Sequence, residues 1–408
     1  MIPKIAKPFL FLILFVSAVA ALQAQSPDKI MVVIIDGARY SETLGDPTHR
    51  FTPQMWSLAQ QGTTISNFAN NNYTYTSRAI PALWCGAWTD VQNINYQGSD
   101  TQQSVLPTIF EYYRKDKKLP STECYSISKY LPSLWRPSYD PDYGESYWPA
   151  FQSVGSNDSD AATQTQVVMD RYHPHFLWVY LDNVDHEGHS GDWSKYTRAI
   201  FIADSIVGVL WAKLQADPFY RNSTTLIVTN DHGRHDDQHG GFQGHGCSCD
   251  GCRHIQFLAV GPSIKQNYVS TQYRTIPDMV VTASFLLGVN PAKATGSVMH
   301  EIFTSTGIAE ESNQDFQLKE CSPNPFINST SIRYFLSKPS DVQLSIHSVS
   351  GERITLLKRE NQNVGLNSIE WDGTNNQGLR VNSGIYFYRL QVGNQSKAGQ
   401  LIFSRTAH

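Results

Sequence analysis

Hydrophobic residues in the first three quarters of the chain form continuous runs rather than alternating patterns. Four runs, rich in β-branched residues, each stop at a polar residue or a glycine; they cover 29–35, 176–181, 225–229 and 254–260. Such runs are typical of strands buried on both faces of a parallel sheet. Between them apolar residues recur at helical spacing, over 53–61, 108–115, 194–214 and 278–287. Alternating strands and helices predict an α/β fold with a mostly parallel sheet flanked by helices.

The pattern changes near residue 310. Residues 310–315 are polar and aperiodic, which indicates a linker. Short strands follow at 331–336, 342–349 and 384–390, separated by turn residues. These predict a small antiparallel β-sandwich. The expected organisation is a signal peptide over 1–24, an α/β domain over 25–307, a linker over 308–321 and an all-β sandwich over 322–408.

The first residues predict export. Lys4 and Lys7 precede an apolar run from Pro8 to Leu22, and a small residue, Ala24, follows. This is the arrangement of a signal peptide, and the run is shorter than the roughly 20 residues of a membrane span. No cysteine follows the cleavage site, which disfavours a lipoprotein. No later stretch looks long and apolar enough to span a bilayer, so we expect an exported, soluble protein.

Composition changes this picture little. Hydrophobic residues make up 40% and charged residues 17% of the 408 positions, which permits a sizeable core. The 36 acidic and 32 basic residues give a formal charge of −4, without a long basic run. This argues against nucleic-acid binding by counterion release.

Three of the six cysteines crowd into one short segment, Cys247-Ser-Cys249-Asp-Gly-Cys252. A structural metal site is one interpretation, but a site with four thiolates lacks a clear second pair of ligands. Export permits disulfides. We therefore expect a disulfide within this segment, or from it to Cys85 or Cys124, with the connectivity left open.

Candidate metal ligands follow the ends of the predicted strands, where ligands bind in open α/β sheets. Carboxylates and imidazoles are ligands that zinc accepts. The candidates are Asp36, Asp185, His189, Asp231, His232 and His245. Each alone has a structural alternative, such as helix capping or an ordinary turn. Asp182 and His186 compete within the same segment as Asp185, whereas we expect solvated positions for His235, Asp236, Asp237 and His239.

Thr76 is the candidate nucleophile. It lies in a threonine-rich segment, 71–78, directly ahead of an apolar stretch. A hydroxyl at a helix N-terminus is well placed against an anion, and Arg78 offers a charge-assisted contact to phosphate or sulfate oxygens. The structural alternative is that both are surface turn residues.

The order of these motifs resembles the alkaline phosphatase superfamily, and most closely its nucleotide pyrophosphatase/phosphodiesterase-like branch. The resemblance rests on Asp36-Gly37, on Thr76 placed ten residues before Gly86, on the Asp185 and Asp231 motifs, and on His245-Gly246. It spans about residues 29–303. It implies an exported phosphoesterase acting on a small anionic ester.

The resemblance also implies a division of ligands between two divalent metal ions, with zinc favoured. Asp185, His189 and His245 would hold one ion. Asp36, Asp231, His232 and the Thr76 hydroxyl would hold the other. Ions about 4 Å apart would clamp the ester while Thr76 attacks, so that a phospho-threonine forms and is then hydrolysed.

Two departures from the family pattern leave alternatives open. Arg78 stands where the family often has proline, and aligning Ser77-Arg78 with the Ser-Arg of sulfatases would make Thr74 the nucleophile. Thr76 is preferred because it keeps the spacing to Gly86 without a gap. The family's phosphate-binding asparagine has no clear counterpart here; Asn93 and Asn95 are guesses.

Two other functions compete with phosphoester hydrolysis. A sulfatase would share the fold, but a threonine cannot be converted to formylglycine, so this is the second choice. A non-catalytic surface binding protein is the third, although all the ligands are present. Substrate specificity would lie in residues 97–101 and 130–154, which the sequence does not decode.

The C-terminal segment, about 322–406, carries a second resemblance. Pro323-Asn-Pro-Phe326, Gly351, Trp371-Asp-Gly373 and Ser383-Gly-Ile-Tyr386 look like a type IX secretion sorting domain. That resemblance implies secretion machinery as a partner, passage through the outer membrane, and then surface attachment or release. The alternative is a carbohydrate-binding or spacer sandwich. Oligomeric state is left open.

Overall fold

The structure is a computed structural model that describes residues 29–96, 98–129, 137–138, 140–304, 316–336, 339–363, 365–393 and 395–405. The chain divides into two compact units, Met1–Thr304 and Ser305–His408. The predicted signal peptide and residues 308–315 of the predicted linker lie outside the described residues, whereas residues 316–321 of that linker belong to a strand, Phe316–Ser322.

The first unit contains twelve strands and eight α-helices among its described residues. The strands are β1 Lys29–Ile35, β2 Thr63–Ile65, β3 Phe68–Ala69, β4 Val91–Tyr96, β5 Ser99–Ser104, β6 Cys124–Ser128, β7 Ala150–Ser153, β8 Phe176–Leu181, β9 Thr224–Thr229, β10 Phe257–Val260, β11 Tyr268–Ser270 and β12 Arg274–Thr275. The helices are α1 Pro53–Ala59, α2 Thr76–Cys85, α3 Ile109–Lys117, α4 Asp158–Tyr172, α5 Asn183–His189, α6 Trp193–Ala216, α7 Asp250–Arg253 and α8 Ile276–Leu286.

Eight strands form one sheet in the order β11-β2-β10-β9-β1-β8-β6-β7. Strand β1 is central and pairs in parallel with β8 and β9. All residues of these three strands are buried, as their continuous apolar runs predict. The predicted α/β fold with a mostly parallel sheet is confirmed.

Strand β10 departs from the prediction of a parallel strand over 254–260, because it is shorter and runs antiparallel to β9. A parallel neighbour needs a crossover that returns the chain to the opposite edge of the sheet. The segment between β9 and β10 contains only the four-residue helix α7. The chain therefore enters β10 at the same edge of the sheet at which it leaves β9, and the two strands run antiparallel.

Helix α6 is the longest in the first unit, with 24 residues and a mean hydropathy of 1.5 in its most apolar window. By length and composition alone it is long and apolar enough to cross a membrane. The expectation that no stretch after the signal peptide is long and apolar enough is therefore wrong. Its buried residues, such as Ile200, Val207 and Leu210, belong to the core cluster that contains β1 and β8. Its buried Asp204 accepts backbone N–H groups of Gln54 and Met55 and so caps α1.

Helix α4, which the sequence did not predict, supports the candidate site through its first residue. Asp158 is fully buried and accepts the backbone N–H of Asp182 at 3.0 Å and of Asn183 at 3.2 Å. These groups begin α5, which carries two candidate ligands. Burial, and then the charge of Asp182, raise the pKa of Asp158 to about 7.

We expect Asp158→Asn to stabilise the protein above pH 7 while preserving an acceptor for both amides. A carboxyl pKa raised from 3.8 to about 7 means that the folded state holds a proton that the unfolded state releases. The wild-type free energy of unfolding should therefore fall between about pH 4 and 7, by at most about 1.4 kcal/mol per pH unit. Urea unfolding at pH 5 and 8 measures this slope. Asp160→Asn, in the same helical turn but less buried, is the control; equal slopes in wild type and Asp158→Asn would contradict the assignment.

The second unit consists of antiparallel strands. They are β13 Phe316–Ser322, β14 Thr330–Leu336, β15 Ser340–Ser348, β16 Arg353–Gln362, β17 Gly365–Trp371, β18 Gly384–Val392 and β19 Gln395–Phe403. They form a sheet in the order β13-β14-β17 and a second in the order β16-β15-β18-β19. Alternate residues of β14 and β18 are buried, and side chains from both sheets form one core that includes Trp371 and Phe403. Two antiparallel sheets sharing one core are a β-sandwich, as predicted.

Candidate functional site

The candidate ligands meet at the carboxyl edge of the large sheet. Asp36 directly follows β1, and Asp231-His232 follow β9 after a single asparagine. Asp185 and His189 lie four residues apart on α5, directly after β8. Because the three strands are parallel neighbours, their ends deliver these side chains to one place.

Three ligand candidates form a first set: Asp185, His189 and His245. The Nε2 atoms of His189 and His245 lie 3.1 Å apart. Asp185 places Oδ2 3.2 Å from Nε2 of His189 and Oδ1 3.6 Å from Nε2 of His245. The two imidazoles thus approach different oxygens of Asp185, and Asp185 and His245 also lie within 4.8 Å of His232, in a group that does not include His189.

A second set surrounds His232. Its Nε2 lies 3.4 Å from Asp36 Oδ1, 3.5 Å from Asp231 Oδ2 and 3.1 Å from Thr76 Oγ1. Thr76 Oγ1 lies 3.5 Å from Asp36 Oδ1. His232 and Asp231 are fully buried, and Asp36 is nearly so. The structure thus brings all seven candidate metal-binding residues together, with His232 shared between a group with Asp36 and Asp231 and a group with Asp185 and His245.

The spacing in both sets suits a metal ion. Ligands about 2.0–2.1 Å from a tetrahedral zinc lie roughly 3.3 Å from one another, close to the observed separations. Asp231 Oδ2 is buried and has no hydrogen-bond partner among the described residues. The Nδ1 atoms of His232 and His245 lie 2.8 Å and 3.0 Å from the carbonyls of Gly233 and Thr74. These contacts leave each Nε2 free to act as a ligand.

The electrostatics of the site also favour a bound cation. Burial, and then the neighbouring Asp231 and Asp185, raise the pKa of Asp36. Burial likewise raises the pKa of Asp231. Burial opposes ionisation of Asp185 too, but His232 and Arg234 outweigh it and lower its pKa. Burial and the nearby His232 lower the pKa of His245 to about 4, so its imidazole is neutral and able to bind metal.

The two threonine candidates have different surroundings. Thr76 is the first residue of α2, and its hydroxyl lies within the second ligand set. Thr74 is almost fully buried, and its hydroxyl donates a hydrogen bond to the Cys247 carbonyl at 2.7 Å. Of the two threonines, only Thr76 has its hydroxyl at the ligand cluster, which favours it over Thr74 as the nucleophile.

Several other sequence candidates lie in structural contacts. Arg78, in the first turn of α2, approaches Asp90 at 3.9 Å. Asp182 forms an ion pair with Lys129 at 2.7 Å. Asn93 and Asn95 belong to the exposed β4–β5 hairpin, where Asn93 accepts a hydrogen bond from Gln102 and Asn95 donates one to Asp100. These hairpin contacts account for both asparagines without a phosphate ligand.

Arg234 and Tyr180 also contact the ligands, although neither was predicted from the sequence. Arg234 is fully buried and its Nη1 donates to Asp185 Oδ1, while Nη2 donates to the Gln243 carbonyl at 2.9 Å. A side chain at Gly37, which has a φ of +67°, would clash with both Asp185 and Arg234. The Tyr180 hydroxyl donates to Asp36 Oδ2. Both residues orient ligand carboxylates, but arginine in a loop and tyrosine in a strand carry no metal-binding signal of their own.

The expected disulfide is not formed. All six cysteines are free, and Cys247 Sγ lies 3.6 Å from Cys252 Sγ, well beyond the bond length of about 2.05 Å. Cys85 instead donates to the Leu106 carbonyl at 3.3 Å, and Cys124 lies buried near Arg114. The cysteine-rich segment turns back on residues 233–236 rather than reaching either distant thiol.

Comparisons with known proteins agree with this architecture. Residues 87–240 match the family model for type I phosphodiesterase / nucleotide pyrophosphatase, and residues 328–396 match that of the FlgD Ig-like domain. The first match contains Asp185, His189, Asp231 and His232. No curated protein sequence matches the chain.

Two solved structures illustrate the structural likeness. Murine ectonucleotide pyrophosphatase / phosphodiesterase 5 is 14% identical, with 68% of this chain and 100% of that one covered and a TM-score of 0.50. A candidate sulfatase from Bacteroides thetaiotaomicron is also 14% identical, with 83% and 87% covered and a TM-score of 0.51. The first unit shares their fold. At this identity the likeness extends to the fold and no further.

Proposed function

We propose that the first unit is a metal-dependent hydrolase of phosphoric esters in which Thr76 is the nucleophile. The observation that carries the proposal is the position of Thr76 Oγ1, at the start of α2 and 3.1 Å from His232 Nε2. The family match over residues 87–240 and the shared fold support a hydrolase of phosphoester or sulfate ester bonds.

Asp185, His189 and His245 would hold one divalent cation, and Asp36, Asp231, His232 and Thr76 a second. Zinc is the favoured ion because both sets combine imidazole with carboxylate. When bound, such ions polarise the ester and lower the pKa of a coordinated hydroxyl. Arg234 and Tyr180 keep the carboxylates of Asp185 and Asp36 oriented toward their sets.

Thr76 would carry the reacting group between two displacements. Its Oγ loses a proton and bonds to phosphorus while the bond from phosphorus to the leaving alcohol breaks, and the alcohol departs with a proton. Water then attacks phosphorus, the Oγ–P bond breaks and the Thr76 hydroxyl is restored. The N-terminal end of α2, where Thr76 lies, favours the anionic group throughout.

The choice of phosphate over sulfate rests on Thr76 itself. The sulfatases that share this fold rely on a formylglycine made from cysteine or serine, and threonine cannot form that aldehyde. Hydrolysis of a sulfuric ester is therefore the second candidate. A purely binding function is the third candidate. A protein that had lost catalysis would be expected to have lost ligands, whereas the described site retains them.

A substrate panel with and without chelator tests the proposed function. We expect the zinc-loaded protein to hydrolyse aryl phosphodiesters or phosphomonoesters faster than aryl sulfates, and to lose this activity after chelation. Activity should return on adding zinc. Faster turnover of the aryl sulfate would establish the second candidate, and no chelator-sensitive turnover of any ester would leave a binding protein.

We also propose that the protein is exported and that the second unit engages secretion machinery at the outer membrane. The basic and apolar N-terminal pattern and the motifs around Pro323 and Trp371 support this. Mass analysis of the protein recovered from the culture medium or cell surface should find an N-terminus near residue 25. Recovery of the uncleaved chain from the cytoplasm would overturn the proposal.

A further inference from the structure

A second group of metal-binding side chains lies in the segment between β9 and β10, apart from the two ligand sets. The thiols of Cys247 and Cys252 and an imidazole nitrogen of His235 lie within 4.8 Å of one another, and the thiol of Cys249 lies in the same segment, near Asp236 and His239. The proposed ester hydrolysis uses none of them. Their convergence therefore needs an explanation of its own.

The geometry of this group is close to that of a tetrahedral site. Cys247 Sγ and Cys252 Sγ lie 3.6 Å apart, and the backbone N–H of Cys249 donates to Cys247 Sγ at 3.2 Å. A nitrogen of His235 lies within 4.8 Å of the Cys247 and Cys252 sulfurs. Thiolates about 2.3 Å from a tetrahedral zinc lie roughly 3.8 Å from one another. The observed sulfur separation fits that arrangement.

His235 supplies a second, independent observation. Its Nε2 is buried and has no hydrogen-bond partner among the residues that the structure describes. A buried nitrogen without a hydrogen-bond partner destabilises the fold unless something binds it. A metal ion bound by the Cys247 and Cys252 sulfurs would satisfy this nitrogen.

We propose that Cys247, Cys252 and His235 bind one structural zinc ion, and that the thiol of Cys249 turns from Asp236 and His239 to become the fourth ligand. Four ligands with no open position are typical of a zinc that stabilises a fold rather than one that takes part in a reaction. The site closes a short loop, so that residues 247–252 are held against 233–236.

This zinc would hold the neighbouring ligand loop in place. The backbone N–H of Gly233 donates to the Cys252 carbonyl at 2.9 Å, directly beside His232. The Cys247 carbonyl accepts the Thr74 hydroxyl, and the Thr74 carbonyl in turn contacts His245 Nδ1. A Cβ on Gly233 would lie 2.0 Å from the Gly251 carbonyl, which shows how closely the segments pack. Zinc at the cysteine cluster would thus fix the positions of His232 and His245.

Metal analysis of the full-length protein separates this site from the proposed hydrolytic one. We expect Cys252→Ser to remove about one zinc ion per chain from the Asp36→Asn/Asp231→Asn variant, whatever zinc the set of Asp185, His189 and His245 retains. Cys321→Ser, outside the cluster, is the control for cysteine replacement. His235→Gln should weaken zinc binding, whereas His347→Gln, a change in the second unit, should not. Equal zinc content in the His235→Gln and His347→Gln variants would contradict the assignment of His235.

Two further measurements use the wild-type protein and so do not depend on whether a variant folds. Cobalt substituted for zinc should show thiolate-to-metal charge-transfer absorption, which the oxygen and nitrogen ligands of the other sets do not produce. Alkylation of the denatured, chelated protein without reductant should modify Cys247, Cys249 and Cys252. A cobalt spectrum without the charge-transfer band, or a disulfide between Cys247 and Cys252, would overturn the proposal whether or not the protein hydrolyses esters.

Discussion

Thr76→Ala is expected to lower kcat for phosphoester hydrolysis on the order of 10³-fold or more, because it removes the attacking oxygen. The change deletes only a hydroxyl and a methyl group at the first position of α2, so the fold should persist. Thr76→Ser retains the oxygen and should retain part of the activity. Steady-state rates on the best ester of the panel, with zinc in excess, measure both effects.

Thr74→Ala is the matched control for Thr76→Ala. It removes a buried hydroxyl that donates to the Cys247 carbonyl, so we expect a loss of stability of about 1 kcal/mol. Its backbone carbonyl, which contacts His245, remains. Much of the activity should therefore survive. A pattern in which Thr74→Ala is inactive and Thr76→Ala is active would identify Thr74 as the nucleophile.

Asp231→Asn is expected to lower metal affinity by more than the roughly 10–100-fold typical of residues that only support a ligand. Asp231 Oδ1 accepts the backbone N–H of Gly37 at 3.3 Å and of His232 at 2.9 Å, which an asparagine oxygen preserves. The buried Oδ2, which has no hydrogen-bond partner among the described residues, becomes an amide nitrogen that cannot bind a cation. Zinc titration against a competing chelator measures the loss.

The same variant should be more stable than the wild type once metal has been removed from both. Burial raises the pKa of Asp231 and of Asp36, so the metal-free wild type loses stability as pH rises above 3.8. Removing one carboxylate removes part of that loss, and each kcal/mol regained should raise Tm by about 2–4 °C. Thermal unfolding at pH 5 and 8 in chelator tests this.

Asp204→Asn separates general stability from metal binding. Asp204 is also a buried carboxylate that accepts two backbone amides, and burial raises its pKa to about 6. It caps α1 and is absent from both ligand sets. This change should leave zinc affinity intact. A comparable loss of zinc in both variants would mean that Asp231 acts through the fold rather than as a ligand.

The sequence predicts the sheet core well and its periphery poorly, for physical reasons. Strands β1, β8 and β9 are buried on both faces, so their positions are mostly apolar, apart from Lys29 and the threonines of β9. Helix α4 escaped because its buried face includes Ala161, Ala162 and Thr165, which give a weak periodic signal. The β4–β5 hairpin is mostly polar, and the buried residues of β5 are themselves polar, so no alternation of apolar residues marks it.

The same contrast holds at the site. Metal ligands could be predicted because carboxylates and imidazoles are unusual directly after buried strands. The roles of Arg234 and His235 could not be predicted. They depend on contacts that form only when residues 242–252 fold back onto these two side chains. The parallel direction assumed for β10 failed because an apolar run does not encode strand direction.

The placement of Arg234 has a consequence for the charge balance of the site. Its guanidinium and the carboxylates of Asp36, Asp185 and Asp231 carry a net charge of −2 among imidazoles that are neutral when they bind metal. One divalent cation cancels this charge, and a second leaves an excess of +2 that an anionic ester or a phosphate product offsets. Occupancy of the weaker position should therefore depend on the anion, and zinc content after dialysis should be higher with inorganic phosphate than without it. The substrate would then complete the site that cleaves it.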